Sequence, residues 1–284
     1  MPSATLSSLL REIDEALDRG LPDDVRPLAA FDADGTLWSG DVGETAFLRG
    51  FDDGVILPAT VSGPLLAWAK RWALDLDDDP ALAFARLGEL CDGERILEVL
   101  PDGMGFDEAR HDLYAMQAWI YAGRTREEVE AYGERLFRGG LEDTLHPFSA
   151  PLLEALCARG LDVIVVSGSH RDLVVPGVAR LGLEPARVYG SLPDVDEAGR
   201  YLPTDGCALY GDAKERKVRA HLDDKHRGDE PGGEKGGVRP LLSFGDSVEA
   251  TDRALLACAA MPVAVRPTGR HLEAARAKGM RILA

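Results

Sequence analysis

The chain has 284 residues, with 32 Lys and Arg residues against 49 Asp and Glu residues, so its formal net charge is −17. Hydrophobic residues make up 45% and charged residues 29%, a mixture typical of globular proteins. The length suits one large domain or two modest ones. Such an acidic excess argues against nucleic-acid or anionic-membrane partners, because both require clustered basic residues.

The N-terminal segment and the cysteines bear on the cellular compartment. The short apolar run near the N-terminus has no basic residues before it, so we expect no secretion signal. No run approaches the roughly 18 apolar residues of a membrane-spanning helix. We therefore expect a cytoplasmic protein without membrane contacts. The four cysteines are far apart, which predicts buried free thiols rather than a zinc site or disulfides.

The first elements of the chain are a helix and a buried strand. Apolar periodicity predicts a helix over residues 3–19, which ends at Gly20. Residues 27–31 then form a short apolar run that ends in Asp32-Ala-Asp-Gly-Thr36. A continuous apolar run of this length is typical of a strand that is buried on both faces.

The segment between residues 40 and 145 has helical periodicity and a weak strand signature. About a hundred helical residues inserted after the first strand predict a separate cap. We therefore assign residues 1–40 and 145–284 to a core and residues 41–144 to a helical cap. Within the core, residues 223–239 are rich in glycine and charge, which predicts a flexible surface loop.

Two later apolar runs match the first one. Residues 162–166 end in Ser167-Gly-Ser169, and residues 240–244 end in Gly245-Asp246-Ser247. Each run is followed by a helix-like segment, which predicts a parallel sheet with right-handed crossovers. Such sheets bind ligands at the carboxyl ends of their strands, where all three polar clusters are expected.

The pair Asp32 and Asp34 is the first candidate for chemistry. Residues two apart share a face of an extended strand, and Gly35 permits a tight turn after them. One carboxylate could attack a substrate while the other moves protons. Both also suit a hard cation such as Mg²⁺. The alternative is a solvated Asp-Gly turn, and this motif by itself favours neither interpretation.

Three further residues could join this pair. Ser167, with the backbone N–H groups of Gly168 and Ser169, could bind a phosphate oxygen, although helix capping by Ser167 or Ser169 is the favoured interpretation of that motif taken alone. Lys214 could neutralise an anionic site, although a solvated helix surface is the alternative and Lys217 competes for the role. Asp246 would repel Asp32 unless a cation lay between them; otherwise it caps a helix.

The order of these motifs (Asp-Ala-Asp-Gly-Thr, then Ser, then Lys, then Gly-Asp) resembles the haloacid dehalogenase-like hydrolase superfamily. The resemblance covers residues 27–40 and 145–264. It implies an α/β fold, in which a Rossmann-like parallel sheet core has helices on both faces and an inserted α-helical cap.

The resemblance also implies a mechanism. Asp32 would attack phosphorus and become an aspartyl phosphate, and Asp34 would serve as general acid and base. Mg²⁺ would be bound by Asp32, by the main-chain carbonyl of Asp34 and by Asp246. Ser167, Gly168 and Lys214 would bind the phosphoryl group. The dehalogenase branch lacks the second aspartate, so Asp34 favours a phosphatase.

One departure from the family pattern concerns the metal site. Many relatives carry a further acid four or five residues after the last aspartate, where this chain has Ala250 and Thr251. Glu249 and Asp252 flank these positions, so either could complete the metal shell. His170 is interpreted as an orienting or incidental residue, because the two aspartates already fill the acid–base roles.

The substrate expectation rests on the insert and on the first motif. The insert resembles the cap of the phosphoserine phosphatase-like group, and residues 32–41 resemble the opening of phosphocholine phosphatases. Asp41 and Glu44 could face a substrate amine, with a cation–π contact from Trp38 worth roughly 0.5–2 kcal/mol. The alternatives are a helix start for the two acids and core–cap packing for Trp38.

These observations predict a Mg²⁺-dependent phosphatase acting on a small, amine-bearing phosphomonoester such as phosphoserine or phosphocholine. A phosphotransferase using the same aspartyl phosphate is one alternative. A non-catalytic ligand-binding protein that retained the fold is another. The sequence selects neither a single substrate nor an oligomeric state.

Overall fold

A computed structural model describes residues 5–98, 100, 103–226 and 237–284. Its six strands form one sheet in the order β3-β2-β1-β4-β5-β6, and every neighbouring pair is parallel. The strands are β1 (Val25–Phe31), β2 (Asp162–His170), β3 (Val188–Ser191), β4 (Arg239–Gly245), β5 (Met261–Val265) and β6 (Arg281–Leu283).

Helices precede and follow these strands. A π-helical turn, Val61–Leu65, joins α3 to α4. The α-helices are α1 (Leu6–Asp18), α2 (Val42–Gly50), α3 (Pro58–Thr60), α4 (Leu66–Arg71), α5 (Pro80–Cys91), α6 (Phe106–Trp119), α7 (Arg126–Arg138), α8 (Ser149–Ala158), α9 (Arg171–Arg180), α10 (Asp212–His226), α11 (Arg253–Ala257) and α12 (Gly269–Ala277). Helices α2–α7 lie between β1 and β2 in the chain, which confirms the predicted helical insert.

The central strand β1 is buried on both faces, as its apolar sequence predicts. Ala29 and Phe31 pack on one face with apolar residues of α1 and α8. Leu28 and Ala30 pack on the other face with Val218 of α10. This alternation follows from the two-residue period of a strand, and it confirms the α/β class with helices on both faces.

Some predicted boundaries differ from the structure. Residues 223–226 of the predicted loop form the last turn of α10, because that helix continues to His226. Arg239 begins β4, and residues 227–236 lie outside the described residues. Cys157 is exposed on α8, contrary to the expectation of buried thiols. Among the described helices, none is both long enough and apolar enough to cross a bilayer.

Candidate active site

The sheet order places three of the four sequence motifs side by side. Strand β1 lies between β2 and β4, so their carboxyl ends meet at one edge. Asp32 directly follows β1, and its N–H donates to the carbonyl of Phe244 in β4 at 2.9 Å. Ser167 and Gly168 lie in the last part of β2, and Asp246 directly follows β4. Backbone pairing therefore sets the relative positions of these side chains.

Three carboxylates form what we call the acid cluster: Asp32, Asp246 and Asp252. Each offers an oxygen within 4.8 Å of the others. Asp32 and Asp252 are buried, and Asp246 is partly buried. The turn after β1 permits this approach, because Gly35 has a φ of +77° and a Cβ there would lie 2.6 Å from Asp246 Oδ2. Glycine is thus needed both for the left-handed backbone and for the space.

Lys214 lies against this cluster. Its side chain is buried, and its Nζ donates to Asp32 Oδ1 and to Asp252 Oδ1, both at 2.6 Å. Lys217 lies elsewhere, with its Nζ 5.1 Å from the centre of the Tyr189 ring. The structure therefore brings Lys214, and not Lys217, to the acid cluster.

The charges of the acid cluster favour binding of a cation in addition to the Lys214 ammonium. Burial, and then repulsion from Asp252, raises the pKa of Asp32 to about 8. Burial and repulsion from Asp32 raise the pKa of Asp246 to about 8. Burial opposes the charge of Lys214, but Asp252 and Asp32 outweigh it and raise the pKa of the lysine. Three converging carboxylates against one ammonium fit a hard, oxygen-binding cation such as Mg²⁺.

The second motif aspartate, Asp34, is surrounded by donors. Its Oδ1 accepts hydrogen bonds from Trp38 Nε1 at 2.9 Å and from the Val42 N–H at 2.7 Å. Its Oδ2 accepts from the hydroxyl of Ser169 at 2.7 Å and, more weakly, from that of Ser167 at 3.4 Å. Burial nevertheless raises the pKa of Asp34 to about 7. A held carboxyl with a pKa near neutrality can both give and take a proton.

The expected substrate residues take different positions. Trp38 is fully buried and packs edge-to-face on Phe137 of α7 at 5.3 Å, which corresponds to the core–cap packing alternative. Asp41 caps α2 by accepting from the N–H of Glu44 at 2.8 Å, as the helix-start alternative predicts. Glu44 itself is exposed. Of the three, Asp41 lines a cavity beside the second motif.

This inner cavity has a volume of about 30 Å³, and its lining includes Asp41, Tyr114, Gly168, Ser169 and His170. His170 is buried, and its Nδ1 caps α9 by accepting from the N–H of Asp172 at 3.2 Å. Its Nε2 has no hydrogen-bond partner among the described residues. Burial lowers the pKa of His170 to about 4, so the ring is neutral near pH 7.

The structure gives a side-chain contact to three residues whose side-chain roles the sequence left open. Asp252 was one of two candidates for the displaced acid, and the structure places it in the acid cluster while Glu249 pairs with Lys278 on the surface. The hydroxyl of Thr36 donates to Asp32 Oδ2 at 3.1 Å. Ser169 binds Asp34, and its signal was the second serine of the Ser-Gly-Ser motif.

Comparison with known proteins agrees with this architecture. A family model described as haloacid dehalogenase-like hydrolase matches residues 29–233, which is more than half of the chain. No curated protein matches the chain.

Two solved structures share the fold, and a third is less similar. A protein of unknown function from Bordetella pertussis Tohama I is 20% identical and has a TM-score of 0.61, with 90% of this chain and 97% of that chain covered. A functionally unknown protein from Anaerococcus prevotii DSM 20548 is 15% identical and has a TM-score of 0.56, with 93% of this chain and 86% of that chain covered. A phosphoserine phosphohydrolase-like protein from Francisella tularensis is 15% identical and has a TM-score of 0.45, with 90% of this chain and 94% of that chain covered. The first two carry the structural comparison.

Proposed function

The chain belongs to the haloacid dehalogenase-like hydrolase family, and on that premise we propose that it is a Mg²⁺-dependent phosphatase of small phosphate monoesters. The observation that carries the proposal is the contact of Lys214 with Asp32 at the centre of the acid cluster. A buried nucleophile beside a fixed ammonium and a cation site is the arrangement that phosphoryl transfer requires.

In the proposed reaction, a carboxylate oxygen of Asp32 bonds to phosphorus while the bond from phosphorus to the leaving oxygen breaks. Asp34 donates a proton to that leaving oxygen. Asp34 then takes a proton from a water molecule, whose oxygen attacks the phosphorus of the aspartyl phosphate. The bond between this phosphorus and the Asp32 oxygen breaks in the same step, which releases inorganic phosphate and restores the carboxylate of Asp32.

The phosphoryl oxygens would be bound by the Lys214 ammonium, the Ser167 hydroxyl and the N–H of Gly168. Mg²⁺ would supply charge neutralisation at the acid cluster and orient the phosphoryl group. Its proposed ligands are Asp32, the main-chain carbonyl of Asp34 and Asp246, with Asp252 rather than Glu249 completing the shell around them.

The leaving group is proposed to carry an amine, as in phosphoserine or phosphocholine. Asp41 supports this proposal, because it is an acidic side chain in the lining of the inner cavity. Residues 41–144 are proposed to act as the cap that excludes water from the reaction. Because the inner cavity has room for about one water molecule, we expect the cap to open for substrate entry.

The test of this function is hydrolysis of p-nitrophenyl phosphate with and without metal. We expect turnover with Mg²⁺, loss of turnover in EDTA, and recovery when excess Mg²⁺ is added back. The reason is that burial and repulsion raise the pKa of Asp32 to about 8, so without a cation this carboxyl is largely protonated near pH 7 and is a poor nucleophile. Equal rates in Mg²⁺ and EDTA would exclude the metal role. Failure to hydrolyse any member of a phosphomonoester panel would exclude a phosphatase.

The metal shell is tested by comparing Asp252→Asn with Glu249→Gln. We expect Asp252→Asn to raise the Mg²⁺ concentration for half-maximal activity at least about tenfold, since Asp252 lies in the acid cluster. Glu249→Gln should leave that concentration near the wild-type value, because Glu249 pairs with Lys278 on the surface. A larger shift for Glu249→Gln than for Asp252→Asn would reassign the displaced acid.

A further inference from the structure

A wide cleft of about 610 Å³ lies beside the acid cluster and is open to solvent. Part of its lining is Tyr210–Ala213, the segment directly before Lys214. Another part is Arg253, the residue directly after Asp252. We call it the arginine cleft, because four arginines line it: Arg110, Arg216, Arg253 and Arg270. Its position makes it a neighbour of the reacting centre rather than a remote surface feature.

The charge of the arginine cleft contrasts with that of the whole chain. Arg216, Arg253 and Arg270 are exposed, and no side-chain hydrogen bond or salt bridge joins them to another described residue, although Arg253 lies near enough to Glu249 to help lower the pKa of that carboxyl. Three acidic side chains line the cleft with the four arginines, namely Asp107, Asp212 and Glu249, and Glu249 is already paired with Lys278. On a chain with a net charge of −17, this local excess of positive charge favours an anionic ligand.

One helix N-terminus adds to this potential. Helix α6 begins at the cleft with Phe106 and Asp107 in the lining, and its N-cap residue Gly105 provides no side-chain hydrogen bond. Its first N–H groups attract anions, and the acidic residues of its first turn offset part of this effect. Helix α10 also begins at the cleft, but the N–H groups of Ala213 and Lys214 already donate to backbone carbonyls of the preceding turn.

A pair of tyrosines lies between the arginine cleft and the inner cavity. Tyr114 lines the inner cavity, Tyr210 lines the cleft, and their ring centres are 4.7 Å apart. Arg110 Nη1 donates to the Tyr210 hydroxyl at 3.1 Å, so a cleft arginine contacts this pair. A leaving group that extends from the phosphoryl site past these rings would place its far end among the arginines.

We propose that the arginine cleft binds a second anionic group, a carboxylate or a phosphate, on the leaving group of the substrate. Arginine suits both groups, because its guanidinium offers two parallel donors. The inference rests on the proposed phosphatase function and narrows its substrate class. It favours a phosphomonoester with an additional acid, such as phosphoserine, over the cationic phosphocholine.

The experiment uses two pairs of substrates that differ by one anionic group. Phosphoserine is compared with phosphoethanolamine, which lacks the carboxylate. Propane-1,3-diol bisphosphate is compared with the monophosphate, which lacks the second phosphate. The variant is Arg216→Gln with Arg253→Gln. The matched control is Arg219→Gln with Arg276→Gln, because these arginines lie on α10 and α12 outside the cleft lining.

We expect the cleft variant to lower kcat/KM at least about tenfold for the anion-bearing member of a pair, as loss of a charge-assisted hydrogen bond predicts. Most of this fall should lie in KM. The member without the second anion, and the control variant with either member, should change less than about threefold. If kcat/KM falls for the anion-bearing member of only one pair, the group that distinguishes that pair, carboxylate or phosphate, is the one that the cleft binds. Equal falls for both members of each pair, or no fall, would overturn the inference.

Failure of the phosphatase proposal can be separated from failure of this one. If the wild-type protein hydrolyses no phosphomonoester with Mg²⁺, the proposed function fails. The cleft is then judged by calorimetric titration with inorganic pyrophosphate in EDTA, where no metal ion at the acid cluster can bind the anion. Binding that the cleft variant weakens at least about tenfold supports an anion site. No binding, or equal binding by both proteins, overturns it.

Discussion

Replacement of Asp32 by asparagine is expected to reduce kcat for p-nitrophenyl phosphate at least about a thousandfold, because an amide cannot form the acyl phosphate. The measurement is steady-state hydrolysis with saturating Mg²⁺. Asp205→Asn is the matched control, since Asp205 is exposed and contacts Arg71 on the surface. It should keep wild-type activity.

The same substitution should not unfold the protein. Asp32 is one of three carboxylates that repel each other, and Lys214 keeps its hydrogen bond to Asp252 when Asp32 is neutral. The thermal midpoint of Asp32→Asn should therefore equal or exceed that of the wild type. Near-normal turnover in a folded Asp32→Asn protein would exclude Asp32 as the nucleophile.

Lys214→Ala is the second large effect that we expect, with a fall in activity of at least about a hundredfold. It removes the ammonium that contacts both Asp32 and Asp252, so the substrate phosphoryl group loses a donor and meets unneutralised carboxylates. Removing one partner of a buried ion pair also costs about 3–5 kcal/mol of folding stability. Activity must therefore be measured below the thermal midpoint of the variant.

Lys217→Ala is the comparison for this effect. Lys217 lies three residues further along the same helix, and its side chain lies over the ring of Tyr189. Its replacement should lower activity less than about threefold. A folded Lys214→Ala protein with activity close to that of Lys217→Ala would remove Lys214 from the phosphate site. A larger loss for Lys217→Ala would transfer the role to that residue.

The strands that the sequence predicted are the three with uninterrupted apolar runs, β1, β2 and β4. The other three lacked that signal for local reasons. β3 contains Gly190, which weakens a strand pattern, and β5 contains Pro262, which lacks a backbone donor. β6 has three residues, too few for a period of two to be recognised. Sheet pairing with longer neighbours supplies the stabilisation that these sequences lack on their own.

The candidate site could be predicted where it depends on strand ends. Asp32, Ser167 and Asp246 follow from the rule that parallel strands present their carboxyl ends at one edge. Asp252 could not be chosen over Glu249, because its position depends on a loop. The N–H of Asp252 donates to the carbonyl of Ser247 at 3.2 Å, and this turn folds its side chain back toward the end of β4.

For Trp38 and Glu44, residue type alone did not predict where the side chain lies. Residue type made both candidates for substrate contact, since an indole and a carboxylate can each face a cation. Their orientation depends on how the insert packs. Trp38 points into that packing and donates to Asp34, so it positions a proposed catalytic side chain. The arginine cleft was absent from the sequence interpretation, because its arginines come from helices that are distant in the chain.

In the proposed reaction, Asp32 carries the phosphoryl group during turnover. The most direct measurement uses Asp34→Asn with p-nitrophenyl phosphate and Mg²⁺. Nitrophenolate leaves without needing a proton, whereas hydrolysis of the intermediate needs the base that this variant lacks. Acid quenching, digestion and mass spectrometry should then find a phosphoryl group on the peptide that contains Asp32. A phosphoryl group on another residue, or turnover with no phosphorylated peptide, would contradict the account.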